Sequence, residues 1–187
     1  MLRHTLRNDC VYTTVANPQA KDFMLKEIVQ YPLNIKGISS SDFIEVKSPF
    51  SGEVIAAIGQ ADEKAIRTAI AVAHDTFNNV MRKMPSHKRS AILAKTSQLL
   101  SERIEEFAQT IALEGGKPIK DARIEVGRAA GLFNIAAEEA LRLDGEQIPM
   151  DRQPGNEGRL AFVLREPIGV IGGITPFNFP LNLVAHK

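Results

Sequence analysis

The chain has 187 residues, enough for one domain or for one and a small part of another. Its 23 basic and 22 acidic side chains leave a formal net charge of +1, a balance that supports neither nucleic acid nor an anionic membrane as partner. No apolar run approaches the roughly 18 residues of a transmembrane helix, and the one cysteine, Cys10, excludes an internal disulfide and fits a reducing, cytoplasmic compartment.

Residues 1–30 read as an N-terminal extension. Arg3 and Arg7 with few acids resemble a transit peptide, but Asp9 comes early and serines are missing. From 31 to 60 the chain reads as short strands. Phe43 to Val46 is rich in β-formers, Pro49-Phe50-Ser51-Gly52 is turn chemistry, and Glu53-Val54-Ile55 resumes an extended run.

Three helical stretches follow. After Asp62, a good N-cap, apolar residues recur at Ile66, Ala69, Ile70, Ala73, Phe77, Val80 and Met81, the period of a helix. Pro85 separates this from a second stretch through Ile92, Leu99, Ile104, Phe107 and Ile111, stopped by Gly115-Gly116 as a left-handed cap. A third opens with Pro118 in its first turn, runs through Ala122, Val126, Ala129, Phe133 and Ala137 to Leu141, and ends at Gly145. Lys117, between the last two, reads as part of a helix end, since the phosphate-binding loop pattern is absent. Glu105-Glu106 and Glu138-Glu139 are neighbours on helices, point to different sides and read as solvated. His4, His74, His87 and His186 lack ligand spacing, so no metal site is expected.

The pattern then changes. Glu146 to Met150 and Leu160 to Leu164 are extended and flank the turn Pro154-Gly155-Asn156, so 146–165 predicts a β-hairpin. Ile168 to Ile174 is almost wholly apolar, as in a strand buried on both faces. Thr175-Pro176-Phe177-Asn178 then turns into a helix start, which makes half of a βαβ unit. Asn178 has two readings. It is a helix cap beside Pro180, which composition favours. Or it is a side-chain amide at a strand end, placed to donate to developing negative charge. Gly169, Gly172 and Gly173 do not fit G-x-G-x-x-G, so no dinucleotide fingerprint is read here.

Arg165 to Lys187, REPIGVIGGITPFNFPLNLVAHK, resembles the NAD(P)-dependent aldehyde dehydrogenase superfamily. Two upstream pieces resemble it in the same order: SPFSGEVIAAIGQA from Ser48 and ALEGGKPIKDARIEVGRA from Ala112. The resemblance implies an α/β fold, the N-terminal part of a Rossmann-type cofactor domain, here mostly helices plus β-hairpins with the first parallel strand. Residues 31–145 would be its helical part, 146–166 an oligomerisation hairpin, and 167–187 the first strand, turn and helix start of the dinucleotide-binding sheet. It implies that Asn178 is catalytic, its amide holding the oxyanion of the aldehyde adduct. It implies that Ile174, Thr175, Pro176 and Phe177 lie along the nicotinamide side of NAD or NADP. Phe179, Asn182, Leu183 and His186 would line the substrate tunnel. Asn182 and His186 are polar where many relatives are apolar, which implies a small polar aldehyde. The string PFNFPLNLVAHK is most similar to the lactaldehyde, phosphonoacetaldehyde and non-phosphorylating glyceraldehyde-3-phosphate branch.

In the family a cysteine thiolate attacks the aldehyde and a glutamate activates the water that releases the acid, and the resemblance implies that this chain alone lacks both. Cys10 lies outside the region of resemblance, so this chain alone is not expected to turn over aldehyde. Weak or no cofactor binding is also expected, since most phosphate and ribose contacts of the family lie beyond Lys187. Two readings stay open: one part of an active enzyme, completed by a second copy or a complementing chain, or a non-catalytic remnant that serves as an assembly module.

Overall fold

The computed structural model describes residues 29–33, 38, 40 and 42–187. His4, Cys10 and nearly all of the expected extension lie outside the described residues; Val29 and Gln30, at its end, belong to the first strand.

Strands β1 (Val29–Tyr31), β2 (Phe43–Lys47) and β3 (Val54–Gly59) form one sheet in the order β1-β3-β2. β1 runs parallel to β3, and β2 runs antiparallel to it with an irregularity between Val46 and Lys47. The expected turn joins β2 to β3. Ser48 is buried there, its amide donates to the Glu53 carbonyl at 2.9 Å, and Gly52 takes φ +74°, which a side chain would resist.

Helix α1 (Glu63–Asn79) starts where the sequence placed it. Asp62 caps it, its carboxylate accepting from the Ala65 amide at 2.6 Å. Its apolar stripe is largely uncovered, with Ile66 and Ile70 both more than half exposed. The long second stretch is two helices, α2 (Ser86–Glu102) and α3 (Ile104–Gly115), broken at Arg103. Both pack on the third, α4 (Ile119–Glu139). The break redirects the chain so that two successive apolar faces meet the same neighbour. The core lies there: Ala108 and Ile111 of α3 meet Ala122 and Val126 of α4, with Ile104, Phe107, Ile119 and Leu181 around them. Small residues at Ala122, Ala129, Ala130 and Ala137 let the helices approach closely, and the Ser97 hydroxyl donates across to the Ala130 carbonyl at 2.8 Å.

Gly116 ends α3 in the left-handed conformation, φ +63°. A Cβ there would also sit 2.9 Å from Pro49 Cγ, so the β2–β3 turn needs a glycine at this helix end. Pro118 stands just before the first turn of α4, not within it, and its carbonyl accepts from the amides of Asp121 and Ala122. α4 stops at Glu139, short of Leu141 and of the expected terminator Gly145, as its last bonds tighten to i→i+3. Gly145 serves another purpose: a Cβ on it would lie 1.9 Å from the Val163 carbonyl oxygen, so it permits the approach of the next hairpin.

That hairpin forms as expected, with β4 (Glu146–Pro149) antiparallel to β5 (Leu160–Val163) and Glu146 opposite Val163. The expected parallel strand at Ile168–Ile174 does not form. Ile168 and Ile174 are 89% and 95% exposed, and among the described residues no strand pairs with this run. An apolar run becomes a strand only when neighbours supply its ladder bonds. The chain closes on α5 (Asn182–Ala185), a single turn at the expected helix start. Among the described residues no helix is long and apolar enough to cross a membrane.

One ion pair ties α3 to α4 across the core edge. Arg123 donates two bonds of 2.8 Å to the carboxylate of Glu105, and this guanidinium holds the Glu105 carboxyl below its usual range. A carboxylate whose folded pKa is lowered stabilises the fold above its unfolded pKa, and that contribution fades as pH falls through the folded value. Arg123→Gln is therefore expected to lower the melting temperature slightly at neutral pH. The difference from wild type should vanish well below pH ~4, the ordinary glutamate range, when melting is followed against pH.

Candidate functional site

α4 presents Ala122, Val126 and Ala129 to the core, and Glu125 lies in the same stripe. It is 1% exposed, a carboxylate in an apolar face, so each oxygen must be satisfied. One oxygen accepts from the amides of Leu181 and Asn182, at 3.0 and 3.2 Å. The other accepts from the ammonium of Lys117. The left-handed turn at Gly116 delivers Lys117 to that place. Its ammonium also donates to the backbone carbonyl of Asn178 at 2.7 Å and lies 3.9 Å from the centre of the Phe179 ring. Lys117 is thus more than part of a helix end: with Glu125 it holds the segment from Asn178 to Asn182 at several points.

This settles the first of the two readings of Asn178. α5 begins after Leu181 and has no side-chain cap bond, so Asn178 is not the cap. Glu125 does that work from another helix. The Asn178 backbone is fixed by Lys117, while its side-chain amide has no hydrogen-bond partner among the described residues. Asn178 lines a hollow of about 500 Å³ together with Phe177 and Phe179, facing Asp121, Ile124 and Arg128 of α4. Arg128 is exposed and has no carboxylate partner among the described residues. Such a site offers a neutral amide donor, the Arg128 guanidinium and the Asp121 carboxylate around the apolar side chains of Ile124, Phe177 and Phe179. It can hold a small molecule with a polarised oxygen at one end and an anionic group at the other.

The structure brings three of the expected site residues to this hollow: Phe177, Asn178 and Phe179. Asn182 and Leu183 of α5 are half-buried and His186, just past its end, is exposed; they do not line it. The Leu183 amide bonds the Phe179 carbonyl and the His186 amide that of Asn182, so the expected one-turn spacing is present. Ile174, Thr175 and Pro176 lie along the extended run that leads in, with Ile174 95% and Phe177 92% exposed. None of these four residues carries a charge for a pyrophosphate. The sequence reading missed Glu125 and Arg128. Glu125 did leave a signal, a carboxylate in the apolar stripe of a helix.

The sequence profile of the aldehyde dehydrogenase family matches residues 37–187. The 3-sulfolactaldehyde dehydrogenase of Priestia aryabhattai is 39% identical over 165 residues, 87% of this chain and 34% of that protein. The crystal structure of aldehyde dehydrogenase 21 from Physcomitrella patens, in complex with its reaction product succinate, superposes with a TM-score of 0.81 at 39% identity, over 86% of this chain and 34% of that one. The glyceraldehyde-3-phosphate dehydrogenase GapN of Methanocaldococcus jannaschii, complexed with NADP, superposes with a TM-score of 0.71 at 42% identity, over 77% and 30%. The chain thus spans about a third of the length of these relatives, and over that third it belongs to the aldehyde dehydrogenase family.

Proposed function

We propose that this chain forms one wall of an NAD(P)-dependent aldehyde dehydrogenase site that oxidises a short aldehyde bearing an anionic group. One observation carries the reading: the Asn178 side chain is uncommitted while its backbone is clamped, at a hollow shared with an unpaired guanidinium. When a thiolate adds to the aldehyde carbonyl, the oxygen takes up negative charge, and the Asn178 amide donates to it. Bound nicotinamide supplies the hydride acceptor. Ile174 to Phe177 give its ring an apolar surface and keep water from that side. Arg128 binds the anionic end, as the sulfonate, carboxylate and phosphate named for the three relatives would require.

The nucleophile comes from outside residues 37–187, because the only thiol, Cys10, precedes that stretch; the family resemblance implies a general base outside it as well. The uncovered run at Ile168–Ile174 and the hairpin, with Leu160 and Phe162 exposed, suit a cover supplied by further chain or by a second copy. Residues 31–145 then form the helical part of the cofactor domain, 146–166 the oligomerisation arm, and 167–187 the entry to the dinucleotide-binding sheet. An assembly module without catalysis would need the same cover but would not need a free Asn178 amide.

The reading is tested by grafting residues 37–187 onto the remainder of the M. jannaschii GapN chain. Arg128→Met in the graft is expected to raise KM for an anionic aldehyde about 10- to 100-fold, the worth of a charged hydrogen bond, and to leave a neutral aldehyde unaffected. An equal change for both aldehydes would remove Arg128 from the substrate site.

A further inference from the structure

We infer that the buried Lys117–Glu125 pair is a positioning device for Asn178: Glu125 fixes the turn of α5 and Lys117 sets the plane of the Asn178 peptide. The inference rests on the reading of Asn178 as the oxyanion donor and names the groups that aim it. Three points of contact carry it. Glu125 accepts the first two amides at the α5 turn, from Leu181 and Asn182. Lys117 bridges from Glu125 to the Asn178 carbonyl. Its cationic head also rests on Phe179, the residue that follows. Both charged groups are rooted outside the segment, one at the α3–α4 turn and one inside α4, so the rigid helix pair determines where Asn178 stands.

The geometry also divides the labour. Glu125 accepts no hydrogen bond from Asn178; it acts through α5 and through Lys117. Lys117 meets the Asn178 carbonyl itself. Both are positioning residues, since neither has to touch the aldehyde. A pair that served stability alone would have no reason to spend its second ammonium bond on a carbonyl in a partly exposed turn.

Backbone ¹⁵N relaxation and amide exchange on the isotope-labelled 187-residue chain test this. In Lys117→Met/Glu125→Gln the charges leave together and the glutamine oxygen can still accept from Leu181 and Asn182. Exchange at those two amides is then expected to stay near wild type, while the order parameter of the Asn178–Phe179 peptide, read at the Phe179 amide, falls from about 0.85 towards 0.6. Lys117→Arg should restore it. Glu125→Ala alone, which removes the acceptor, should speed exchange at Leu181 and Asn182 about tenfold or more, with the α2 amides as a control for folding. An unchanged Asn178 in the double variant, with α2 intact, would overturn the inference. Kinetics of Asn178→Ala in the graft separate the two levels. If the double variant loosens Asn178 but Asn178→Ala leaves turnover intact, the donor reading fails while the clamp remains.

Discussion

Glu125→Ala is expected to destabilise the chain by about 3 kcal/mol, the lower end of the loss when one member of a buried ion pair is removed. The lower end applies because the Lys117 side chain keeps 16% of its surface exposed and can recruit water. The loss has two parts. An ammonium stays beside the core without its counter-charge, and the amides of Leu181 and Asn182 lose their acceptor. The pair itself is not a large net source of stability, since replacing both partners with uncharged side chains costs far less than deleting one. Urea unfolding measures this directly: the midpoint should fall with an unchanged slope. A loss below ~1 kcal/mol would mean that water already satisfies these groups and that the carboxylate is not a structural acceptor.

Asn178→Ala is expected to lower kcat in the graft about 100- to 1,000-fold, the effect of removing one oxyanion donor. KM and melting temperature should change little. The side chain has no hydrogen-bond partner among the described residues, and α5 takes its cap from Glu125, so folding loses nothing with the amide. The competing account makes the opposite forecast. If Asn178 capped the helix, alanine would cost about 1 kcal/mol of stability and leave kcat untouched. Reading kcat and melting temperature on one preparation therefore separates the two. Stability lost at constant kcat would return Asn178 to the role that its neighbour Pro180 first suggests.

What was legible in the sequence is what depends on near neighbours. Asp62 caps α1 through a bond to Ala65, three residues on, and Gly116 ends α3 by its own φ; both follow from local chemistry. The β4–β5 hairpin follows from two extended runs about one turn. What failed depends on partners far away. The run at Ile168–Ile174 has the composition of a central strand, yet no ladder forms without strands beside it. The role of Asn178 was ambiguous because the group that displaces it as a cap, Glu125, lies 56 residues before Leu181 in sequence. Arg128 was passed over because an arginine on a helix surface has no pattern of its own; only the hollow it shares with Asn178 gives it meaning.

The central claim is that residues 37–187 carry the oxyanion donor and the nicotinamide-side surface, but not the nucleophile. The most direct measurement compares NAD(P)H formation by the purified 187-residue chain and by the graft, with NAD or NADP and a short anionic aldehyde. The account predicts no reduction by the chain alone and steady reduction by the graft. Reduction by the chain alone that survives repurification, or a folded graft that stays silent, would contradict it.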